Sequence, residues 1–387
     1  MEEVMVNRRN LILGVGGTLA LMGAGAAWRV TRVPQKALQP WAQAGVTELD
    51  PRLDAFRHAI LAPNPHNMQP WQIRLMGDDQ AEISCDLARR LPHTDPFDRQ
   101  IVIGFGCFVE LASIAASRRG LKIEVDAFPE GAGEERLDAR PVARLRFVAE
   151  PGLAADPLAG FIRDRRSAKV PFDLARPVPP ESLAALQTTS SDLIRFDYSR
   201  SHNETEALIS MASTAFEREM RTPHTLRESI DVLRVGASEI DANPDGISLR
   251  GPFFEALSVL GPDKVRDASN DPQSAETTRQ IDRYRQIFAQ TPRFVWLTGL
   301  GNSRAHQLAA GRSYLRLNLL TTRLGLGLHP VSQALQEYPE MAPLFAEARR
   351  LCRVETGETL QMLARLGYAA PVAPTPRWPL EAKLIRA

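Results

Sequence analysis

Residues 106–121 read GCFVELASIAASRRGL, and residues 311–326 read GRSYLRLNLLTTRLGL. Each stretch opens on a Gly, runs thirteen residues to a second Gly and continues with Leu, and the two lie 205 residues apart. In the first, Phe108, Leu111, Ala112, Ala115 and Ala116 fall on one face of a helix. Gly120 ends that helix, and Leu121, Ile123, Val125 and Ala127 then alternate as a strand does. Gly325 ends the second helix, and Leu326–Val331 extends. One helix–Gly–strand unit is commonplace. Two of them at similar points of the two halves imply two related half-domains in one chain.

Working outward, a helix opens at Asp50 or Asp54 and runs to Leu61. Trp71–Leu75, Ala81–Leu87, Val142–Val148, Leu193–Tyr198 and Arg293–Thr298 read as strands. The strong helix is placed at Phe105–Arg119, and a further one follows the joint at Glu150–Pro157 and ends near Arg165. Others begin at Pro179 or cover His202–Met220, Thr225–Val235, Ser274–Gln290 and Ala305–Leu324. Asn243–Pro252 reads as loop. The class is α+β, with mixed or antiparallel sheets flanked by helices. The expected division is a leader at 1–28, a lead-in at 29–49, a first half at 50–150 and a second half at 151–387.

Composition removes several functions. In 387 residues, 47 Lys and Arg face 46 Asp and Glu, a net charge of +1. That balance argues against a strongly basic nucleic-acid binder. Three Cys, widely spaced, exclude a disulfide scaffold. No Cys-x-x-Cys or His-x-x-x-His pair spells a zinc site, so no metal is expected.

Arg8-Arg9 precedes an uncharged, Gly- and Ala-rich stretch from Leu11 to Trp28. That pattern looks like a twin-arginine export signal, cleaved or kept as an anchor, and implies a periplasmic or exported protein carried already folded. A membrane anchor alone, or a chance apolar N-terminus, gives the same composition. No other segment reads as long and apolar enough to span a bilayer.

Two motifs carry chemistry. Ala62-Pro63-Asn64-Pro65-His66-Asn67-Met68-Gln69-Pro70-Trp71 sets Asn64, Asn67 and Gln69 close together on a backbone bent by prolines. Such a cluster can read the polar edge of a planar heterocycle, or be a structural turn with Asn caps. Arg163-Asp164-Arg165-Arg166-Ser167-Ala168-Lys169 sets Arg165, Ser167 and Lys169 at alternate positions. An Arg, a hydroxyl and a Lys suit a phosphate and a polyol. A solvated basic patch is the bland alternative.

Pro-x-x-x-Asn-x-Gln-Pro-Trp after a helix, together with Arg-x-Ser-x-Lys, resembles the nitroreductase-like FMN flavoproteins. Here the Trp71 motif precedes the Arg165 motif. That order, the doubled Gly106/Gly311 helix and the export signal resemble the single-chain, fused-dimer branch known as Acg-type. The resemblance implies a nitroreductase-like fold and one FMN per chain. A chain that mimics a dimer is expected to be monomeric. Arg165, Ser167 and Lys169 match positions that hold the ribityl chain, phosphate and ring edge. Asn64, Pro65, Asn67 and Gln69 match the segment that reaches FMN from the opposite half. Ser332 and Gln333, after His329-Pro330-Val331, match the turn whose backbone N–H meets flavin N5. Arg377, in Pro376-Arg377-Trp378-Pro379, matches a phosphate-binding Arg of the tail.

The resemblance further implies an FMN-dependent oxidoreductase that passes electrons to a nitro compound, a quinone or a similar small acceptor. No Gly-x-Gly-x-x-Gly follows a strand, so no dedicated nicotinamide domain is present. The reductant is open, with NAD(P)H one candidate. A protein that sequesters FMN with little turnover is the alternative. Residues 200–290 are a candidate lid, with Asp245-Gly246-Ile247 and Gly251-Pro252 as parts of it.

Overall fold

The computed structural model describes residues 31–385, so the leader expected at 1–28 lies outside the described residues. Helices α1 (Gln35–Gln43) and α2 (Pro51–Ala59) precede the first sheet. Asp50 caps α2 by accepting from the Arg52 N–H, with Pro51 at the first helical position. Strands β1 (Trp71–Met76) and β2 (Gln80–Cys85) form a hairpin. Helix α3 (Arg99–Ser117) follows, then β3 (Leu121–Ala127) and β4 (Ala143–Ala149). The sheet order is β1-β2-β4-β3, antiparallel throughout.

The second sheet has the same wiring. After α4 (Pro180–Leu186) come β5 (Ile194–Tyr198) and, much later, β8 (Arg293–Gly299). Helix α11 (Arg304–Arg323) lies between β8 and β9 (Gly327–Pro330), and β10 (Thr359–Gly367) closes the set after α12 (Ala342–Leu351). The order is β5-β8-β10-β9, again antiparallel. In both sheets the helix joins the second strand to the third, and the fourth strand slots between them. Residues 199–292 are inserted between β5 and β8. They hold α5 (His202–Arg221), α6 (Pro223–Asp231), α7 (Gly236–Ala242), α8 (Pro252–Ser258), α9 (Pro262–Ser269), α10 (Ala275–Ala289) and the short parallel pair β6 (Leu233–Val235) and β7 (Ile247–Leu249).

The two halves meet where α3 crosses α11. A Cβ added to Gly106 would stand 2.1 Å from the Leu308 carbonyl oxygen, and one added to Gly311 would stand 2.0 Å from that of Ile103. Only hydrogen fits at either position. The Cys107 thiol donates to the Gly311 carbonyl at 3.2 Å across the same crossing. Arg312 and Arg316 of α11 both clasp the buried Glu110 carboxylate of α3. One apolar core, from Phe56 and Phe108 to Leu317 and Leu366, runs through both halves. A second cluster, with Leu208, Phe216, Phe288, Trp296 and Leu363, seats the insertion on the outer sheet.

The C-terminal tail crosses back onto the first half. Leu384 bridges Ile73 in parallel, with Ile73 N–H donating to Lys383 O at 2.8 Å and Ile385 N–H to Ile73 O at 2.9 Å. That contact occupies the free edge of β1.

Several expectations are corrected. Helix α3 begins at Arg99, six residues before Phe105, because the Asp95 carboxylate accepts from the Gln100 and Ile101 N–H groups. It is long and apolar enough to cross a bilayer, which the sequence reading denied of every segment past the leader, and its apolarity serves the core instead. The helix expected to end near Arg165 shrinks to one turn at Ala159–Phe161. Helix α6 stops at Asp231, since Leu233–Val235 pairs with Ile247–Leu249 inside the segment read as loop.

The glycine crossing gives a direct test. Gly311→Ala should destabilise the chain by about 2–3 kcal/mol through forced separation of two backbones. Gly160→Ala, where a Cβ meets nothing within 4 Å, should stay within about 0.5 kcal/mol. Urea unfolding of the two variants measures both.

Candidate functional site

The loop between α2 and β1 is bent by force. His66 (φ 44°), Asn67 (φ 55°) and Gln69 (φ 50°) all occupy the left-handed region. That conformation costs a non-glycine residue on the order of 1 kcal/mol or more, so neighbours must over-determine it. They do. The Asn64 carbonyl oxygen accepts from the Gln69 N–H at 2.8 Å, and its amide donates to Ala62 O at 3.1 Å. The Gln69 amide donates to Pro244 O at 2.8 Å, and its carbonyl oxygen accepts from the Trp378 N–H at 2.9 Å. Lys383 Nζ donates to Gln69 O at 2.6 Å.

These bonds revise the expected role of the amides. Gln69 is fully buried, with both ends of its amide taken by protein. Asn64 is the cap of its own turn, which is the bland reading of that motif. Both fasten the loop rather than present a free edge to a ligand. Asn67 ties to the tail: its amide donates to Pro376 O at 3.1 Å, and its carbonyl oxygen accepts from Arg377 Nη1. Pro65 starts the turn and packs beside Gly104 of α3.

Behind this loop two guanidinium groups converge. Arg165 is 2% exposed and Arg377 3%. Arg165 donates to Asn318 Oδ1 at 2.8 Å and to Leu61 O at 2.9 Å. Arg377 donates to the same Leu61 O at 3.1 Å and to Ala62 O at 3.2 Å. Neither guanidinium meets a carboxylate among the described residues, and each leaves its Nε–H without a partner. Burial pushes Arg165 down to about 10. Burial also pulls Arg377 well below its ordinary value, helped by the charges of Arg165 and Arg166. Trp41 of α1 lies under both Arg166 and Arg377, 4.5 and 5.7 Å from its ring centroid.

Buried like charges without a counter-ion are costly, and a bound anion removes the cost. Arg365 provides the contrast. It too is buried without an acid, yet its N–H groups all reach protein acceptors: Thr291, Val170, His329, Ile287 and Gln290. Arg377 Nη1 also reaches Thr375 Oγ1 and Pro376 O, so what Arg165 and Arg377 keep and Arg365 does not is a free Nε–H each, two donors that suit a phosphate.

Ser167 and Lys169 follow Arg165 along a segment pinned to β9 by Ala168 N–H to Leu328 O at 2.8 Å. Lys169 is exposed whereas Arg165 is buried, so the alternating positions do not share one environment. Ser332 precedes the single turn Gln333–Leu335 beyond β9.

Sequence reasoning missed a second cluster. Glu219 of α5 is 4% exposed, with the Gln333 and Gln336 side chains against its carboxylate. His66 Nε2 lies 3.9 Å from its Oε1. Burial pushes Glu219 up to about 7, against the pull of those two amides and of Lys169. Burial, with Lys169 adding to it, pushes His66 down to about 4. The signal was present. Glu219 continues the stripe Leu208-Met211-Ala212-Ala215-Phe216, where a charge is the odd member.

The insertion also touches the loop. Asp245 is buried and accepts from Arg89 at 2.6 Å, Arg234 at 2.8 Å and the Trp378 indole at 2.9 Å. Gly246 N–H donates to Asn67 O at 3.3 Å.

No family model matches the chain. A protein of Mycobacterium tuberculosis named "Putative NAD(P)H nitroreductase acg" is 25% identical over 337 residues, which span 84% of this chain and 93% of that protein. Among solved structures, a nitroreductase-like family protein from Bacillus cereus is 14% identical and covers 59% of this chain and 94% of its own, at a TM-score of 0.32. The FMN-dependent nitroreductase NfnB of Mycobacterium smegmatis, in complex with NADPH, is 18% identical and covers 56% and 92%, at 0.34. At those scores the structural overlaps add nothing to the strand order described above. Along most of its length the chain is therefore similar in sequence to a nitroreductase of the Acg branch.

The unpaired guanidiniums predict a specific anion response. Inorganic phosphate should raise the thermal midpoint of the apoprotein more than chloride does at matched ionic strength. The Arg165→Met, Arg377→Met double variant should lose that difference, as read by differential scanning calorimetry.

Proposed function

We propose that this protein is an FMN-dependent, nitroreductase-like oxidoreductase that reduces a small acceptor such as a quinone or nitro compound. The observation that carries the reading is the buried meeting of Arg165, Arg377 and the Leu61 carbonyl, from three distant stretches of chain, where each guanidinium keeps an Nε–H that no protein acceptor takes. The FMN phosphate is the anion proposed for it. The similarity to a nitroreductase of the Acg branch supports the same group. Bound FMN supplies two-electron chemistry, and the polypeptide supplies position and electrostatics. Arg165 and Arg377 hold the phosphate by charge-assisted bonds. Ser167 and Lys169 lie next along the chain, where the ribityl group and ring edge are proposed. Lys169 is the exposed cation that favours negative charge on the ring. Asn67 keeps Arg377 aimed, and the Ser332–Gln333 turn offers a backbone N–H.

One observation favours slow turnover. The turn 244–246 is bonded to Gln69, Asn67 and Trp378 and so covers the loop from the insertion side. A fixed cover of that kind suits a protein that stores FMN. Export by the leader belongs to the same proposal, and a periplasmic location argues against NAD(P)H as the donor, which leaves the reductant open.

Arg165→Ala and Arg377→Ala should each weaken FMN binding by about one to two decades, the worth of a charge-assisted phosphate contact. Fluorescence-quench titration of the apoprotein measures it. Unchanged affinity in both variants places the phosphate elsewhere. Reduction of a nitroaromatic by the yellow holoprotein with NADPH supports the enzyme reading, and a yellow protein inert to NADPH and dithionite alike supports storage.

A further inference from the structure

Four buried polar atoms gather beside the loop 66–69: Glu219 Oε2, His66 Nδ1, Gln336 Oε1 and the Tyr338 hydroxyl. None has a hydrogen-bond partner. Buried polar atoms are nearly always satisfied, so four together need an account. They come from three parts of the fold. His66 belongs to the first-half loop, Glu219 to the inserted helix α5, and Gln336 and Tyr338 to the segment after β9. His66 is held there by a left-handed backbone at φ 44°, which its neighbours maintain at a cost. Residues matched to the flavin adjoin the cluster: Gln333 acts on Glu219, and Asn67 is the next residue after His66.

We infer that Glu219 and His66 form a proton-holding pair that carries one proton between them and serves as the acid for an acceptor reduced in this site. The inference rests on the flavin reading above. A quinone that takes up a hydride from reduced flavin has gained two electrons and one hydrogen, and needs one proton more on oxygen to become a hydroquinone. The Glu219 carboxyl gives that proton and is left as carboxylate. Solvent restores it by way of the imidazole, 3.9 Å away.

The charges around the pair decide where its proton sits. Lys169 and Glu228 act on Glu219, and Glu219 in turn acts on the Tyr338 hydroxyl. Lys169 also acts on His66. Burial outweighs them all. It raises the carboxyl to about 7 and lowers the imidazole to about 4. Between those values the folded chain keeps one proton, on the carboxyl. The unfolded chain, with ordinary values of 4.5 and 6.5, also keeps one proton over most of that range, on the imidazole.

The linkage has a definite sign. A raised carboxyl contributes stability at low pH that is lost as pH rises through about 7. A lowered imidazole contributes stability above 6.5 that is lost as pH falls toward about 4. Between 4.5 and 6.5 the two slopes oppose and cancel. Removing either partner exposes the other. Glu219→Gln should therefore become less stable, relative to the parent, as pH falls from about 6.5 to 4. His66→Asn, with a residue that tolerates the left-handed backbone, should instead lose stability as pH rises from about 4.5 to 7.

The test uses the full chain. Urea unfolding of the parent and both variants across that range should show the two opposite slopes. Nitrogen NMR of the apoprotein should find His66 neutral at pH 6. Parallel pH profiles for all three proteins, or a His66 imidazolium at that pH, overturn the pair. In the FMN-loaded protein, reduction of p-benzoquinone by Glu219→Gln should slow by about a hundredfold, with FMN affinity unchanged. An unaltered rate overturns the acid role. Failure of the parent to bind FMN at all defeats the flavin reading and the acid role with it, while the titrations still decide whether the pair exists.

Discussion

Two glycines, 205 residues apart, hold the molecule together by carrying no side chain. At Gly106 and Gly311 the central helices of the two halves touch backbone to backbone, at a distance no Cβ allows. Everything else depends on that approach. It lets one apolar core run through both halves. It brings Glu110 within reach of Arg312 and Arg316. It sets the start of the second half against the end of α2, so that Arg165 finds the Leu61 carbonyl. The tail then binds the edge of β1 and delivers Arg377 to the same oxygen. Neither half alone has these neighbours.

The electrostatics of the site divide into two compartments. One holds two cations that meet no carboxylate among the described residues, Arg165 and Arg377. The other holds an acid and a base that burial pushes toward their neutral forms, Glu219 and His66. Lys169 is the exposed charge whose field reaches the second compartment, acting on Glu219, His66 and His329. Desolvation is the common cause: it penalises charge in both places, and only the first offers a mobile anion as the remedy.

Much of this was legible in the residues. Periodicity located α11 and β3, because one face of each differs from the other, whereas α3 is buried almost all round and announced itself by its apolarity. The doubled Gly spacing pointed to two halves, since a glycine in a helix interior needs a reason. Arg165 and Arg377 were visible through a motif. What stayed hidden has physical causes. Strand β10 is buried along nearly its whole length and carries no alternation to read. The bonds that Gln69 makes were hidden because its partners, Pro244 and Trp378, lie 175 and 309 residues away. Glu219 belongs to no motif, and only its place in an apolar stripe marked it.

The central claim is that the two halves together build one flavin site, because the anion-binding pair is drawn from the start of the second half and from the tail, against a carbonyl of the first. The most direct measurement is the amount of FMN released per chain from fully reconstituted protein, taken with its mass in solution by analytical ultracentrifugation. The account predicts one FMN for each chain in a monomer. Two FMN per chain, or flavin held only by a dimer, would contradict it.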